Sequence, residues 1–368
     1  MRHKNGCRTS LMPGVNLTRR QHYVPQAYLR HWCNEDGKLS VSVEGRVLPS
    51  CGTTNFAVEV DFYAFVDLSA VELDFLFRTI AQIIAVENPI VNAVVVPIFL
   101  NVLYFRCENH DWSNEYAETF DKFEPWMKKQ EHINTYRFLR EVAEGASELQ
   151  QVHIDAIERE TESGFEGLMS SIETAAWPVI NELLERGAKC LKEGNNLRYL
   201  LLYLVNQCFR GPDYLRQIDI ALPERAHEIG ETPKLAKYLR YIIPFYVLNQ
   251  LLQTKNQRKV LVIENKTDLE FITGDVPCAI YGEKRNPRTP LITFFPLSPR
   301  KALLFGYRDA VNTYIQKYAW ELVDKGLVDW FNREIIASSQ RFVFASAPNI
   351  LSANGYHVTA RTAPTYAR

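Results

Sequence analysis

The sequence predicts an α+β protein with a mostly helical middle, a small β-rich layer built from its C-terminal third, and an N-terminal hairpin. From about residue 69 to residue 253, apolar residues recur at the spacing of helices that bury one face. After Lys255 the chain changes to short runs of β-branched and aromatic residues separated by proline and glycine, which is typical of strands and turns. Near the start, residues 39–43 alternate between apolar and polar side chains before Gly45, which predicts the hairpin.

The first organised stretch is residues 21–30, QHYVPQAYLR, which we call the N-terminal motif. Pro25 fixes its own φ angle and favours an extended conformation for Val24, the residue before it. After the proline, three large side chains recur at helical spacing: Tyr28, Leu29 and Trp32. The N-terminal motif therefore predicts an extended segment followed by a short helix with the proline in its first turn.

His22 lies just before the start of this short helix. The positive end of the helix dipole can hold an anion there or keep an imidazole neutral. The alternative is that His22 and the two tyrosines only attach the N-terminus to the core, because structural histidines are common. We expect Tyr23 and Tyr28 to be largely buried, and the N-terminal motif to pack against the C-terminal strands.

The remaining elements follow from the same two periodicities. Helices are expected at about 69–88, 90–107, 113–144, 152–191, 196–209, 233–253 and 311–338. Ser69 followed by Glu72 fits a capping box, and Pro178 is expected to kink or break the fourth helix. Strands are expected within 55–65 and at 259–263, 271–275, 291–297, 301–305 and 341–345.

These elements are expected to form a single domain, residues 19–347. Its helical part covers about 69–253 and its β-rich part about 255–347. A loose N-terminal tail, residues 1–18, precedes the domain, and a polar C-terminal tail, residues 348–368, is expected to fray.

Composition limits the class of protein. Hydrophobic residues make up 46% of the chain and charged residues 23%, which are ordinary values for a globular protein. The net charge of −1 provides no global basic field, so any nucleotide or nucleic acid would have to bind through a local basic cleft. The most apolar run, residues 90–105, is too short and too interrupted to cross a bilayer, so we expect a soluble protein without a membrane span.

The seven cysteines are scattered, odd in number and never spaced as C-x-x-C. This pattern favours reduced thiols in the cytoplasm over a disulfide framework. The spacing of His22, His31 and Cys33 fits no standard zinc pattern, so no metal ligands are assigned. No cofactor motif is evident, although a divalent metal is compatible with the polar residues described next.

Four further polar residues interrupt apolar patterns. Arg210 ends an almost entirely apolar helix, so it needs a partner or a route to solvent. Asp275 ends an apolar strand in a turn fixed by Pro277, and we expect it to pair with Arg210. Arg300 follows a rigid proline-rich turn, and Asn332 lies on an amphipathic helix. Singly, each has a local explanation, such as an Asx-turn for Asp275; together they favour a cleft shared with His22.

These motifs resemble those of domain-of-unknown-function family forty-two thirty-eight, whose members open with HYxPxxYL. Later segments are similar to family segments in the same order: QCFRGP at 207–212 to QxxRTP, FITGDVP at 271–277 to FITSDNP, FPLSP at 295–299, and Asn332 with RFVF at 341–344. The resemblance spans about residues 20–346. It implies a shared fold and a shared site, but no activity, because the family is uncharacterised.

Three residues depart from the family pattern. Gly211 stands where the family has threonine, and Gly274 and Val276 replace the serine and asparagine beside the aspartate. If the family side chains bind a substrate, this chain has altered or weakened function.

Three functions are compatible with these residues. The first is an enzyme acting on a nucleotide or nucleic-acid phosphate, similar to a hydrolase or nuclease, with His22 as general base and Asp275 as its orienting partner. Arginines and backbone amides would hold the phosphate. The substrate-binding residues would be Gln21, Tyr23, Tyr28, Arg30, Gln207, Arg210, Arg300 and Asn332. No acyl-transfer elbow, Walker loop, HExxH or dinucleotide fingerprint occurs.

The other two functions involve no catalysis. In one, the same cleft binds an anionic small ligand, a peptide or a protein partner. In the other, the polar motif residues only tie the N-terminus to the C-terminal layer. The residue pattern alone is compatible with an enzyme and with both of these alternatives.

Overall fold

The structure is a computed structural model that describes residues 20–60, 72, 75–76, 96, 100, 103, 114–129, 133–144, 151–210, 233–281, 292–318 and 320–358. The α+β class is confirmed, with helices in the middle, a mixed sheet in the C-terminal third and an N-terminal hairpin. The described helices are α1 (Gln26–Leu29), α2 (Asn114–Met127), α3 (Ile133–Ala143), α4 (Gln151–Arg186), α5 (Asn196–Phe209), α6 (Pro233–Gln253), α7 (Arg308–Tyr318), α8 (Lys325–Ser338) and α9 (Pro348–Ala353). The described strands are β1 (Arg20–His22), β2 (Leu39–Val43), β3 (Arg46–Cys51), β4 (Val58–Val60), β5 (Arg258–Asn265), β6 (Thr273–Gly274), β7 (Ala279–Tyr281), β8 (Ile292–Ser298), β9 (Lys301–Tyr307), β10 (Glu321–Leu322) and β11 (Phe342–Ala345).

The N-terminal motif folds as its sequence predicts, with one adjustment. Strand β1 pairs antiparallel with β4, so that His22 lies opposite Val58. Pro25 has φ −59° and ψ 133° and therefore precedes α1, whereas the sequence predicts it within the first turn. Helix α1 continues directly into a 3-10 helix, Arg30–Trp32.

The N-terminal motif is attached to strands from the other end of the chain. The Tyr28 hydroxyl donates to the Pro296 carbonyl at 2.7 Å and lies 2.8 Å from Thr273 Oγ1. The Trp32 indole donates to the Phe271 carbonyl at 3.3 Å. Tyr23 and Tyr28 are buried. The predictions that these tyrosines are buried and that the motif packs against the C-terminal strands are confirmed.

A four-stranded antiparallel sheet joins the two ends of the chain, in the order β3-β2-β11-β6. The hairpin of β2 and β3 turns at Glu44 and Gly45, whose φ angles of 50° and 75° are those of a tight hairpin turn. Strand β2 pairs along its other edge with β11, which places the N-terminal hairpin in the C-terminal layer. Helix α9 packs on β2 and β3, so strand β2 is buried on both faces.

A five-stranded mixed sheet completes this layer, in the order β10-β5-β9-β8-β7. The central strands β5, β8 and β9 pair antiparallel, whereas β10 runs parallel to β5 at one edge. Helix α7 packs against β5 and β9. Phe294 of β8 stacks on Phe331 of α8, with ring centroids 4.3 Å apart. A second core therefore forms beneath this sheet.

The helical layer contains two of the predicted helices almost unchanged, α5 and α6, which pack on each other. Helix α4 is 36 residues long and continues through Pro178, so the predicted break does not occur. Val179, Ile180 and Leu183 are buried directly after the proline, and this packing offsets the lost backbone hydrogen bond. None of the described helices is long and apolar enough to cross a membrane.

Three predicted stretches differ from the structure or lie outside it. The block predicted at 113–144 is two helices, α2 and α3, with a turn at Lys128 and Lys129 between them. The helices predicted at 69–88 and 90–107 fall almost entirely outside the described residues. Residues 61–65, the second half of the extended segment predicted at 55–65, also lie outside the described residues.

The predicted helix at 311–338 is wrong, because strand β10 divides it into α7 and α8. Leu322 of β10 is buried and pairs with Asn265 of β5. Asp324 then caps α8, its side chain accepting the Gly326 amide at 2.8 Å. The pairing partner is distant in sequence, so helical periodicity could not reveal the interruption.

The predicted fraying after Pro348 is also wrong for residues 348–358. Pro348 begins α9, and Tyr356 beyond it is fully buried. The Tyr356 hydroxyl donates to Asp329 of α8 at 2.7 Å. Residues 359–368 lie outside the described part of the chain.

We expect Tyr28→Phe to lower the free energy of unfolding by about 1–3 kcal/mol. The substitution keeps the ring but leaves the buried Pro296 carbonyl and Thr273 hydroxyl without their partner. Urea denaturation measures the change. Tyr246→Phe, at a tyrosine that is 47% exposed, is the matched control and should leave stability unchanged. Equal stability of Tyr28→Phe and the wild type would show that this attachment contributes nothing.

Candidate functional site

His22 is held by a side chain of its own motif. The Gln26 amide nitrogen lies 2.8 Å from His22 Nε2, and Thr53 donates to the Gln26 oxygen at 3.5 Å. This orientation of the amide makes Gln26 the donor and His22 Nε2 the acceptor. His22 Nδ1 is buried and has no hydrogen-bond partner in the part of the chain that the structure describes, although the backbone of Phe56 acts on the ring and raises its pKa.

The environment of His22 favours the neutral ring. Burial lowers its pKa from the usual 6.5, and the positive charges of Arg210 and Arg20 lower it further. The backbone of Phe56 opposes these effects but does not outweigh them. The ring is therefore neutral at pH 7, and its Nε2 carries a lone pair.

Arg210, at the end of α5, joins the N-terminal motif to the helical layer. One guanidinium nitrogen donates to Glu173 of α4 at 2.5 Å, and another donates to the backbone carbonyl of His22 at 2.8 Å. The Arg210 side chain is only 10% exposed. The carboxylate found at Arg210 is thus Glu173 and not the expected Asp275. Sequence reasoning missed Glu173 because it is one carboxylate among many on the long helix α4.

Two further polar groups lie on the same face of α5. Tyr203 lies about two helical turns before Arg210, and Gln207 lies about one turn before it. Both side chains are buried, and neither the Tyr203 hydroxyl nor the Gln207 carbonyl oxygen has a hydrogen-bond partner among the described residues. Burial and then Glu173 raise the pKa of Tyr203, which keeps it protonated. We call His22, Glu173, Tyr203, Gln207 and Arg210 the His22 cluster.

Asp275 lies within the C-terminal layer and holds a backbone turn. Its two carboxylate oxygens accept the amides of Gln340 and Arg341, both at 2.8 Å. The side chain is 2% exposed, and burial raises its pKa from 3.8 to about 6, although the two amides oppose the shift. Asp275 therefore fastens the connection between α8 and β11.

Asn332 has a similar structural position. Its side-chain oxygen accepts the Ile272 amide at 3.0 Å, and its nitrogen donates to the Glu270 carbonyl at 2.8 Å. It is fully buried on α8. Arg300 donates to the Thr267 carbonyl and lies 3.5 Å from the Glu270 carboxylate. These contacts tie the 267–272 segment to its neighbours.

The other predicted site residues lie along the N-terminal motif. Gln21 is half-buried in β1, and Arg30 is exposed at the start of the 3-10 helix. The Tyr23 amide donates to the Ala57 carbonyl at 3.0 Å. The structure brings His22 and Arg210 into contact and carries Gln207 on the same helix as Arg210. Among the described residues, no group of three or more histidine, cysteine or acidic side chains is placed to hold a metal.

Gly274 is required by its surroundings. A Cβ atom added there would lie 1.8 Å from Ser339 Oγ and 2.9 Å from Ser339 Cβ. Ser339 is held in place because its hydroxyl donates to the Ile335 carbonyl at 2.7 Å. The departure from serine at position 274 is therefore matched by the serine at position 339. Gly211 lies outside the described residues.

Fold and motifs together define an α+β protein built around an N-terminal HYxPxxYL segment. The family model of DUF4238, described as a protein of unknown function, matches residues 20–349, and the chain belongs to this family. No curated protein and no solved structure matches the chain.

We expect Gly274→Ala to destabilise the fold by about 1–3 kcal/mol, because the new methyl group overlaps Ser339. The double variant with Ser339→Gly should lose less unfolding free energy than the two single variants lose in sum. A double-mutant cycle, with each variant unfolded in urea, measures this coupling. Gly52→Ala is the control, since the nearest atom to its added Cβ lies 3.9 Å away. Additive single changes would mean that the two positions are independent.

We expect Asp275 to make the protein less stable as pH rises from about 4 to 6. Its folded pKa is raised to about 6, so the stabilisation is complete below 3.8 and is lost as pH rises through about 6. The change is about 3 kcal/mol, at 1.36 kcal/mol per pKa unit. The unfolding free energies of the wild type and Asp275→Asn are measured from pH 4 to pH 8, and their difference isolates the contribution of Asp275.

The stability advantage of the wild type over Asp275→Asn should be larger at pH 4 than at pH 7. Asp268→Asn should show the opposite pH dependence, because Lys325 lowers the pKa of the exposed Asp268 carboxyl. A difference between wild type and Asp275→Asn that does not vary with pH would contradict the expected shift.

Proposed function

We propose that the chain is an enzyme that acts on a nucleotide or nucleic-acid phosphate, as a hydrolase or nuclease does. The observation that supports the proposal most is the neutral His22 ring, whose Nε2 accepts a hydrogen bond from the Gln26 side chain. A neutral imidazole has a free lone pair and is suited to take a proton from water or a hydroxyl. In this proposal that substrate group replaces the Gln26 amide at Nε2.

The electrostatics of the His22 cluster support an anionic substrate. Arg20 and Arg210 both act on the ring with positive charge. Arg210 is nevertheless engaged by Glu173 and the His22 carbonyl, so we assign it the role of holding the ring and not that of binding the phosphate. Asp275 is likewise engaged by two amides, so we do not assign it the role of orienting His22, and Gln26 holds the ring only until the substrate group replaces it.

A structural role for the motif is the second candidate, and the contacts of Tyr28, Asp275 and Asn332 favour it for those residues. Each contacts backbone groups of the C-terminal layer. His22 differs from them because its Nε2 contacts a side chain, the amide of Gln26. We therefore restrict the proposed catalytic role to His22.

We also propose a cytoplasmic location. All five cysteines in the described residues are free thiols: Cys33, Cys51, Cys190, Cys208 and Cys278. Free thiols are typical of a reducing compartment.

We expect the purified protein to hydrolyse at least one member of a panel of nucleoside phosphates, short RNA, short DNA and a chromogenic phosphodiester, assayed with Mg²⁺ and with EDTA. His22→Gln should lower kcat by about 10²- to 10⁴-fold, the usual contribution of a general base. The rate should rise with pH to a plateau and reach half of its maximum below pH 6.5, because the pKa of His22 is lowered from that value.

His357→Gln, at an exposed histidine, is the matched control and should retain full activity. A melting curve of His22→Gln separates the candidate functions. Full activity of this variant, or no turnover of any substrate by the wild type, would contradict the enzyme. Loss of thermal stability in His22→Gln without any wild-type turnover would favour the structural role.

A further inference from the structure

One end of the five-stranded sheet carries a group of basic side chains. Strand β5 begins there and β9 ends there, with Arg258 opposite Tyr307. Lys255 lies in the 3-10 helix that leads into β5 and is exposed. Arg308 follows Tyr307 directly, and its guanidinium donates to the Asn256 carbonyl at 3.1 Å. We call Lys255, Arg258, Tyr307 and Arg308 the Arg258 patch.

Arg258 is held in one orientation. Its Nε donates to Thr254 Oγ1 at 2.9 Å. The guanidinium carbon lies 4.4 Å from the ring centroid of Tyr307 and 5.6 Å from that of Phe305. The two terminal nitrogens have no hydrogen-bond partner among the residues that the structure describes. The planar group is therefore fixed, with donors available to a ligand.

The charges of the Arg258 patch are not neutralised within the described structure. None of its three cations forms an ion pair with a described residue, whereas Arg140, Arg186 and Arg333 each meet carboxylates. Lys259 adds a further positive charge nearby, although Asn312 holds its ammonium group at 2.8 Å. Asp309 is the acidic neighbour in the chain. The net charge of this region is positive in a protein whose overall charge is −1.

We propose that the Arg258 patch binds single-stranded nucleic acid. The cations would contact phosphates, and the exposed Tyr307 ring would stack on a base. A surface with cations alone would fit any polyanion. The combination of unpaired cations with a 39% exposed tyrosine ring is what favours nucleic acid over a lipid surface or an acidic peptide.

This inference does not depend on the proposed catalytic role of His22. Binding to the Arg258 patch is measured without turnover. The proposed hydrolase can therefore fail while binding is observed, and binding can fail while hydrolysis of a free nucleotide is observed.

The test is fluorescence anisotropy of fluorescein-labelled U12 RNA and dT12 DNA with the full chain, titrated between about 50 and 200 mM salt. Wild type should bind, and its affinity should fall steeply with salt as counterions are released. Arg258→Glu/Arg308→Glu should weaken binding by about tenfold or more and reduce the salt dependence. Tyr307→Ser should weaken binding by about fivefold or more through lost stacking.

Lys189→Glu/Lys192→Glu is the matched control, because it makes the same charge change at two exposed lysines in a different 3-10 helix. This control should bind as the wild type does. Arg258→Lys keeps the charge and should show an affinity between those of the wild type and the reversed-charge variant. This milder variant keeps the test valid if the reversed-charge variant does not fold. Failure of the wild type to bind, equal losses in the control, or an unchanged affinity in Tyr307→Ser would overturn the proposal. So would binding of heparin or anionic vesicles at least as tightly as the oligonucleotides.

Discussion

The fold depends on the attachment of the N-terminal motif to strands formed much later in the chain. The Tyr28 hydroxyl contacts groups 245 and 268 residues away, and Trp32 reaches Phe271. Closing such loops costs conformational entropy before the contacts are made. Large buried side chains around these hydrogen bonds supply the offsetting free energy, with the Tyr28 ring packed at a tilt against Trp32 and Phe295. The hairpin β2-β3 follows directly and can then pair with β11.

The polar residues of the later motifs complete this attachment by satisfying backbone groups. Segments between short strands leave amides and carbonyls without partners, and such groups are costly when buried. Asn332 supplies a partner to the amide of Ile272, and Asp275 supplies partners to two amides before β11. Arg210 does the same for the His22 carbonyl. A polar side chain within an apolar pattern can thus indicate a distant backbone group as readily as a ligand.

Sequence reasoning worked where the determining contacts are local. The periodicity of α5, α6 and the central strands gave their existence and nearly their bounds. It failed at β10, because a two-residue strand between α7 and α8 depends on pairing with β5. At the candidate site, the sequence identified His22, Gln207 and Arg210 from their unusual positions. It could not identify Glu173 or Gln26, since neither interrupts a local pattern and only the folded chain brings them to their partners.

The Arg210 contact couples the attachment of the N-terminal motif to the chemistry of His22. The same guanidinium that holds the His22 carbonyl also lowers the pKa of the His22 ring. Glu173 forms an ion pair with the same guanidinium, with its carboxylate oxygen 2.5 Å from the nitrogen. The pair therefore joins three elements, β1, α4 and α5, while leaving the ring neutral in a half-buried position. A change that loosened this ion pair would alter both the position of the strand and the protonation of the imidazole, so the structural and proposed catalytic roles of the N-terminal motif share one physical origin.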